Sequence, residues 1–386
     1  MKKRVLAALV ATAMLLSLTA CGNSSKMPAD DTPEQPADGV GENTEDTEID
    51  MTAQKIAMIT DSGDITDESF NQITWETVRA YGEKKGVEYE YYKPAEDTNE
   101  ERINAIDLAI NGGATVVVMP GNLFGPAIAE EQDLYPDTTF IAVDISPSDL
   151  VNLVGDSVSV GRNVCLFSFQ EEQAGYLAGY GAVKDGYTRL GFLGGTAVPP
   201  VIRYGFGYIP GINAAAEELG VDVSVKYFYC GQFDGDESIT ARMEGWYADG
   251  TEIVFACGGG IYTSVVEAAK SNDGKVIGVD VDQKSVIGDC CVTSAMKGLH
   301  VAVYDALDAY FTGNWSSLSG KAIQLGLDQG DYIGLPTDDA SWGFEIFTKD
   351  EYSKVLEGIK DGSISVSDDV ENNPNVGSHV SVDYVL

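Results

Sequence analysis

From Lys55 onward, short apolar runs alternate with longer stretches that are apolar on one side only. The runs at 56–60, 89–92, 115–119 and 140–144 are bounded by Gly, Pro, Asp or Asn. Continuous apolar runs of this length fit strands covered on both faces of a parallel sheet. The stretches 71–85, 99–111 and 125–133 between them predict helices, giving βαβαβαβ. The rhythm then repeats. Helices are predicted at 171–183, 207–219, 238–247 and 262–271, and strands at 189–193, 223–229, 253–256 and 275–279. Two alternating halves of similar size predict an α/β protein of two doubly wound lobes joined by hinges. The expected division is 54–165 for the first lobe, completed by about 291–325, and 166–290 for the second, completed by about 326–386. In the last part only 299–311 reads as helix, the remainder as acidic loops.

The first residues have a different character. Lys2, Lys3 and Arg4 precede an uncharged apolar stretch, 5–18, shorter than a membrane-spanning helix needs. It ends Leu18-Thr19-Ala20-Cys21-Gly22, the pattern of a lipoprotein signal, in which the Cys21 thiol takes up lipid. Residues 22–53 are rich in Pro, Asp, Glu, Ser, Thr and Gly, with too little apolar surface to fold, and read as a self-repelling tether.

Charge narrows the partners. With 24 Lys+Arg against 61 Asp+Glu the formal net charge is −37 over 386 residues, which argues against nucleic acid and anionic lipid surfaces. Two histidines, His300 and His379, leave little material for imidazole catalysis or zinc. Cys165, Cys230, Cys257, Cys290 and Cys291 are odd in number and without C-x-x-C, so neither a disulfide framework nor a metal site is expected. The stretch Gly205 to Gly211 has the wrong spacing for a dinucleotide loop, and Gly320-Lys321 lacks the glycines and hydroxyl of a phosphate loop. No cofactor is called for.

In doubly wound lobes ligands sit at the carboxyl ends of strands. After the first strand come Asp61, Gly63, Asp64, Asp67, Ser69, Phe70 and Asn71, ahead of Trp75. Asp67 or Ser69 suits a helix cap. Phe70 and Asn71 offer a stacking face and a paired donor and acceptor for a planar heterocycle. Asn122 follows the third strand and Asp144 ends the fourth, as a cap or as an acceptor for ligand hydroxyls and ring N–H groups. Phe233 lies beyond a strand in Gly231-Gln232-Phe233-Asp234. Gly258 and Gly259 follow the next, for a sharp turn or for close backbone approach to a ligand. Asp280 and Lys297 form either a buried ion pair or a grip on a cis-diol, the carboxylate accepting and the ammonium donating.

Several of these segments, in order, resemble the basic membrane protein family of substrate-binding lipoproteins, whose best-known members bind purine nucleosides. The matching pieces are Asp61 with Asp67-Glu68-Ser69-Phe70-Asn71-Gln72, then Glu171-Glu172-Gln173-Ala174-Gly175-Tyr176-Leu177-Ala178-Gly179, then Gly278-Val279-Asp280-Val281-Asp282-Gln283 and Lys297. The resemblance implies the two-lobed fold of type I periplasmic binding proteins and a nucleoside ligand passed to the permease and ATPase subunits of an ABC importer. It implies that Phe70 and Phe233 flank the base while Asn71 and Asp144 hydrogen-bond it. It likewise implies that Asp280 and Lys297 hold the ribose hydroxyls, with Gly258 or Gly259 backbone nearby. Asp61 and Asn122 are further contacts. The chain departs from the family around Met119 to Phe124 and around Tyr204 and Phe206, which leaves the base open. The expectation is a non-enzymatic monomer on the extracytoplasmic face of the cell membrane, anchored through lipid on Cys21. Riboflavin, another vitamin or a sugar signal in the same fold is the alternative. A nucleoside-hydrolysing envelope enzyme built on Asp61, Asp64 and Asp67, or a surface adhesin, would belong to other classes.

Overall fold

Segments that offer water no polar face end up between helices. In the computed structural model, which describes residues 50–61 and 63–385, β1 (Lys55–Ile59), β3 (Val116–Pro120) and β4 (Thr139–Val143) are buried along their whole length. Cys21, the signal segment and most of the tether lie outside the described residues. With β2 (Glu88–Tyr92), β5 (Val164–Phe169) and β11 (Lys321–Leu325) these strands form a six-stranded sheet ordered β11-β5-β4-β3-β1-β2. Every pair in it is parallel. The helices α1 (Phe70–Lys85), α2 (Asn99–Asn111) and α3 (Gly125–Leu134) connect its first four strands.

The second sheet is ordered β12-β10-β9-β8-β6-β7-β13. Its strands are β6 (Arg189–Gly194), β7 (Val223–Tyr229), β8 (Ile253–Cys257), β9 (Lys275–Asp280), β10 (Cys291–Lys297), β12 (Ile333–Gly334) and β13 (Val380–Tyr384). All pairs are parallel except β10 with β12. Around it run α4 (Glu171–Lys184), α5 (Pro199–Leu219), α6 (Glu237–Ala248), α7 (Tyr262–Asn272), the short α8 (Lys284–Ile287) and α10 (Lys349–Lys360). The helix α9 (Leu299–Phe311) crosses back to pack on α1. The architecture is thus a two-lobed α/β fold.

Strand pairing differs from the expected division at two places. The boundary expected after residue 165 cuts through β5: residues 166–169, placed in the second lobe, belong with 164 and 165 to a strand of the first sheet, because the apolar run Val164 to Phe167 is buried between β4 and β11. Residues 291–297, assigned to the first lobe, pair with β9 in the second sheet. The tail also holds more structure than acidic loops. The α10 helix opens on a capping box, Glu351 N donating to Thr348 Oγ1 at 3.2 Å and Thr348 N to Glu351 Oε2 at 3.0 Å. Its fellow β13 pairs along β7, an edge that would otherwise be open.

The chain crosses between the sheets after β5, after β10 and after β11. Two crossings are tied together: Gln170 N donates to Leu325 O at 2.9 Å, and Leu327 N to Gln173 Oε1 at 3.0 Å. Immediately beyond, α4 and α5 pack backbone against backbone. Gly175 and Gly179 of α4 lie against the backbone of Tyr204 and Tyr208, Gly207 and Gly211 of α5 against that of Glu172 and Tyr176, and a Cβ on Gly207 would stand 2.0 Å from the Glu172 carbonyl oxygen. The glycine-rich stretch that fails as a nucleotide loop therefore serves backbone contact between two helices. This contact fixes how closely the two helices lie against each other. Gly207→Ala should destabilise the protein by about 1–3 kcal/mol or more, since backbone cannot give way as a side chain can. Gly245→Ala, in α6 with nothing near its would-be Cβ, should stabilise it by about 0.5–1 kcal/mol. Urea unfolding of the two variants checks this; equal and opposite-signed outcomes in the reverse order would refute the packing argument.

Candidate functional site

The two sheets turn the carboxyl ends of their strands toward a shared cavity. Asp61, Phe70, Asn71, Asn122, Asp144, Phe233, Gly258, Gly259, Asp280 and Lys297 all line it. The first lobe supplies Asp61 after β1, Phe70 and Asn71 from the start of α1, Asn122 after β3 and Asp144 after β4. Phe233 after β7, the glycines after β8, Asp280 at the end of β9 and Lys297 at the end of β10 come from the second.

Local geometry explains why these residue types stand there. Asp144 and Asp280 both have left-handed backbone, φ +59° and +66°, which aspartate tolerates better than most residues and which breaks the strand at that point. Gly258 sits at φ +150°, and a Cβ there would press on Gly195 and on the Phe233 ring at 3.1 Å. The turn after β8 and the Phe233 loop are therefore in close contact.

Lys297 is the centre of the site. Its Nζ contacts Asp144 Oδ2 and lies 3.4 Å from both Asp280 Oδ1 and Glu171 Oε1. The Phe70 ring centroid is 4.9 Å from the same nitrogen, with Tyr204 at 5.5 Å and Phe169 at 5.7 Å. Burial lowers the pKa of the ammonium, but Asp144, Asp280 and Glu171 outweigh it and hold the group above its ordinary value. Asp144 is raised as well, but there burial prevails, against the pull of Lys297. Asp144 Oδ1 is buried with no hydrogen-bond partner among the described residues, an acceptor aimed at nothing the protein supplies. Asp280 accepts from Ser69 Oγ at 2.7 Å and from Tyr204 OH at 3.3 Å. The first of these bonds crosses between the lobes.

Asn71 is more committed than the sequence suggests. Its Nδ2 donates to Asp61 Oδ1 at 2.8 Å and to Asp67 Oδ2 at 3.0 Å, while its Oδ1 accepts from Asp61 N at 3.2 Å. Both amide hydrogens are engaged within its own loop. Asp67, not Ser69, caps α1, accepting from the backbone N–H groups of Ser69, Asn71 and Gln72. That releases Ser69 to reach Asp280. Asp61 is pushed up to about 6, mainly by burial, against hydrogen bonds from Gly63 and Asn71.

Glu171, Arg203, Tyr204, Asp234 and Cys257 join or support this site without having been singled out for it. The cavity lining carries Asp61, Asp67, Asp144, Asp234 and Asp280 against one cation, Lys297. Among the described residues no group of three or more His, Cys, Asp or Glu side chains is arranged to hold a metal ion. The free Cys165, Cys257 and Cys291 sit on β5, β8 and β10. Such a lining suits an uncharged ligand rich in hydrogen-bond donors and disfavours phosphate.

Behind the cavity, Glu172 is almost wholly buried and its Oε2 has no hydrogen-bond partner among the described residues, Arg203 Nε being 4.0 Å away. Burial, then neighbouring Glu171, push its carboxyl up to about 8. A folded-state pKa raised above the unfolded value contributes stability that is present at low pH and lost as pH rises through the folded value. Asp61 contributes with the same sign. Thermal stability should therefore fall between about pH 5 and pH 9, and Glu172→Gln should flatten that fall and melt above the parent at pH 9. Coincident pH profiles for the two proteins would contradict the assignment.

The chain matches the family model of ABC transporter substrate-binding proteins described as PnrA-like over residues 53–368. It is 29% identical over 340 residues to the ABC transporter nucleoside-binding protein BmpA of Lactococcus lactis, covering 82% of this chain and 89% of that relative. To basic membrane protein B of Borreliella burgdorferi it is 27% identical over 311 residues, covering 78% and 84%. Among solved structures it is similar to an ABC transporter solute-binding protein from Aeropyrum pernix, with TM-score 0.66 and 20% identity over 81% of this chain and 87% of the other. A solute-binding protein from Conexibacter woesei gives TM-score 0.64 and 21% identity over 82% and 99%. These two likenesses bear on the fold. The family match covers most of the chain, and the protein belongs to the PnrA-like (Bmp) family of ABC transporter substrate-binding proteins.

Proposed function

We propose that the protein captures a nucleoside, with a purine as the base, and delivers it to the permease and ATPase of its transporter. One observation carries this reading: two phenyl rings from opposite lobes and an Asp144–Lys297–Asp280 set line the same cavity. In this account Phe70 and Phe233 flank the base, and Asp144 Oδ1 accepts from it. Asp280 accepts from the two ribose hydroxyls while Lys297 donates to their oxygens. Gly258 and Gly259 approach the ligand with backbone, and Asp61 and Asn122 stand at the base edge. Asn71, its amide hydrogens spent on Asp61 and Asp67, holds that edge in place and offers the ligand only its carbonyl oxygen. The name of the Lactococcus relative, a nucleoside-binding protein, points the same way.

The body works outside the cytoplasm as a monomer, held to the membrane by lipid on Cys21 through the acidic tether. An anchor keeps a receptor beside its permease, and the basic start, apolar stretch and cysteine of 1–21 carry the chemistry for one.

Purified protein should melt at higher temperature with micromolar inosine, guanosine or adenosine. A ligand at 100 times its Kd adds roughly 2.7 kcal/mol of stability. Asp280→Ala and Lys297→Ala should each remove most of the gain, and nucleoside monophosphates should stabilise far less than nucleosides. A screen in which riboflavin or a free sugar stabilises and nucleosides do not would overturn the ligand assignment. Separately, Cys21→Ala should release the protein from the membrane fraction; unchanged fractionation would overturn the anchor.

A further inference from the structure

Lys297 meets three carboxylates, and only two of them belong to the cavity. Asp144 and Asp280 line it beside Lys297, whereas Glu171 does not. Glu171 is 0% exposed, with Oε1 3.4 Å from Lys297 Nζ and Oε2 accepting from Arg203 Nε at 2.6 Å. It is the first residue of α4, where the positive end of the helix dipole favours an anion. Its place is fixed in turn by the glycine contacts between α4 and α5, which bring Arg203, in the first turns of α5, alongside.

We propose that Glu171, held by Arg203, is a positioning residue that keeps the Lys297 ammonium at the cavity wall between Asp144 and Asp280, and so sets the preference for ligands carrying a vicinal diol. The proposal rests on the reading of Asp280 and Lys297 as the diol site. A lysine has a flexible stem and no fixed fork of donors, so its direction is set by the acceptors around it. A ligand hydroxyl that enters must take over part of the Lys297 bonding now directed to Asp144 or Asp280. Glu171 lies outside the cavity lining and stays engaged throughout. Without it, a ligand would meet an ammonium whose remaining anions are the same two groups the ligand itself must address. Glu171→Gln removes the one carboxylate that Lys297 and Arg203 share, leaving Asp144 and Asp280 beside Lys297 and Glu172 near Arg203.

Calorimetric titration with inosine and with 2′,3′-dideoxyinosine separates positioning from general support. The parent should prefer inosine, and Lys297→Ala should lose that preference. Glu171→Gln, checked for a cooperative melt, should bind inosine on the order of tenfold more weakly, the scale of coupling within one buried network. Its affinity for the dideoxy compound should change little, so the ratio falls to that of Lys297→Ala. A purely structural role lowers both affinities alike, and a folded Glu171→Gln that keeps the parent's ratio overturns the proposal. Should Glu171→Gln fail to fold, Glu171→Asp and Arg203→Gln carry the same test, with partial loss of the ratio expected and an unchanged ratio overturning it. A parent with no preference for inosine overturns the diol reading itself, a failure distinct from a retained preference in the Glu171 variants.

Discussion

An ammonium whose side chain is 3% exposed has exchanged water for whatever the fold can bring to it. Leaving such a charge unpaired costs several kcal/mol, so the carboxylates around Lys297 have to arrive together. They come from three places: the end of β4, the end of β9 and the start of α4. Each arrival has a structural requirement. Asp144 and Asp280 have left-handed backbone at their strand ends, and Glu171 needs α4 pressed onto α5, where glycines of each helix meet the other's backbone. Much of what looks like separate architecture in the two lobes converges on one nitrogen atom.

The same network governs how a ligand gains affinity. Ser69 donates to Asp280, Lys297 contacts Asp144, and Gln283 Nε2 donates to Glu68 O at 3.0 Å, all between the lobes. These polar groups satisfy one another across the cleft, so a ligand's hydroxyls exchange hydrogen bonds more than they add them. Exchange of that kind contributes about 0.5–1.5 kcal/mol per bond. The larger gain is left to burial of a flat ring against Phe70 and Phe233, with the polar set deciding which ring-bearing molecules fit. Acid-rich walls then select against anions before any contact is made.

Sequence periodicity was enough for most of the alternating elements, because buried parallel strands are apolar throughout and their helices amphipathic. It missed β5, since Val164 to Phe169 directly abuts a helix start with no turn residue to mark a separate strand. It also missed β13, whose alternating Val-Ser-Val-Asp-Tyr is only half-buried. The capping box Thr348-x-x-Glu351 is legible in the sequence and marks the start of α10. In the site, residues at strand ends could be picked out from position alone. Glu171 could not, because an acid in the first turn of a helix is ordinary until a buried partner is found for it. Arg203 lies ahead of the helix expected at 207–219, and only the observed start of α5 at Pro199 makes it the one cation of a largely apolar helix, a charge that must be paired inside. Nor could any pattern reveal that the Asn71 amide is consumed by its neighbours, which depends on how one loop folds back on itself.

A crystal structure of the protein grown with inosine tests the central claim most directly. The account expects the hypoxanthine ring between Phe70 and Phe233, both ribose hydroxyls within hydrogen-bond distance of the Asp280 carboxylate, at least one of them reached by Lys297 Nζ, and Glu171 still against that nitrogen. Inosine bound elsewhere on the surface, or seated in the cavity with its ribose turned away from Asp280 and Lys297, would contradict it.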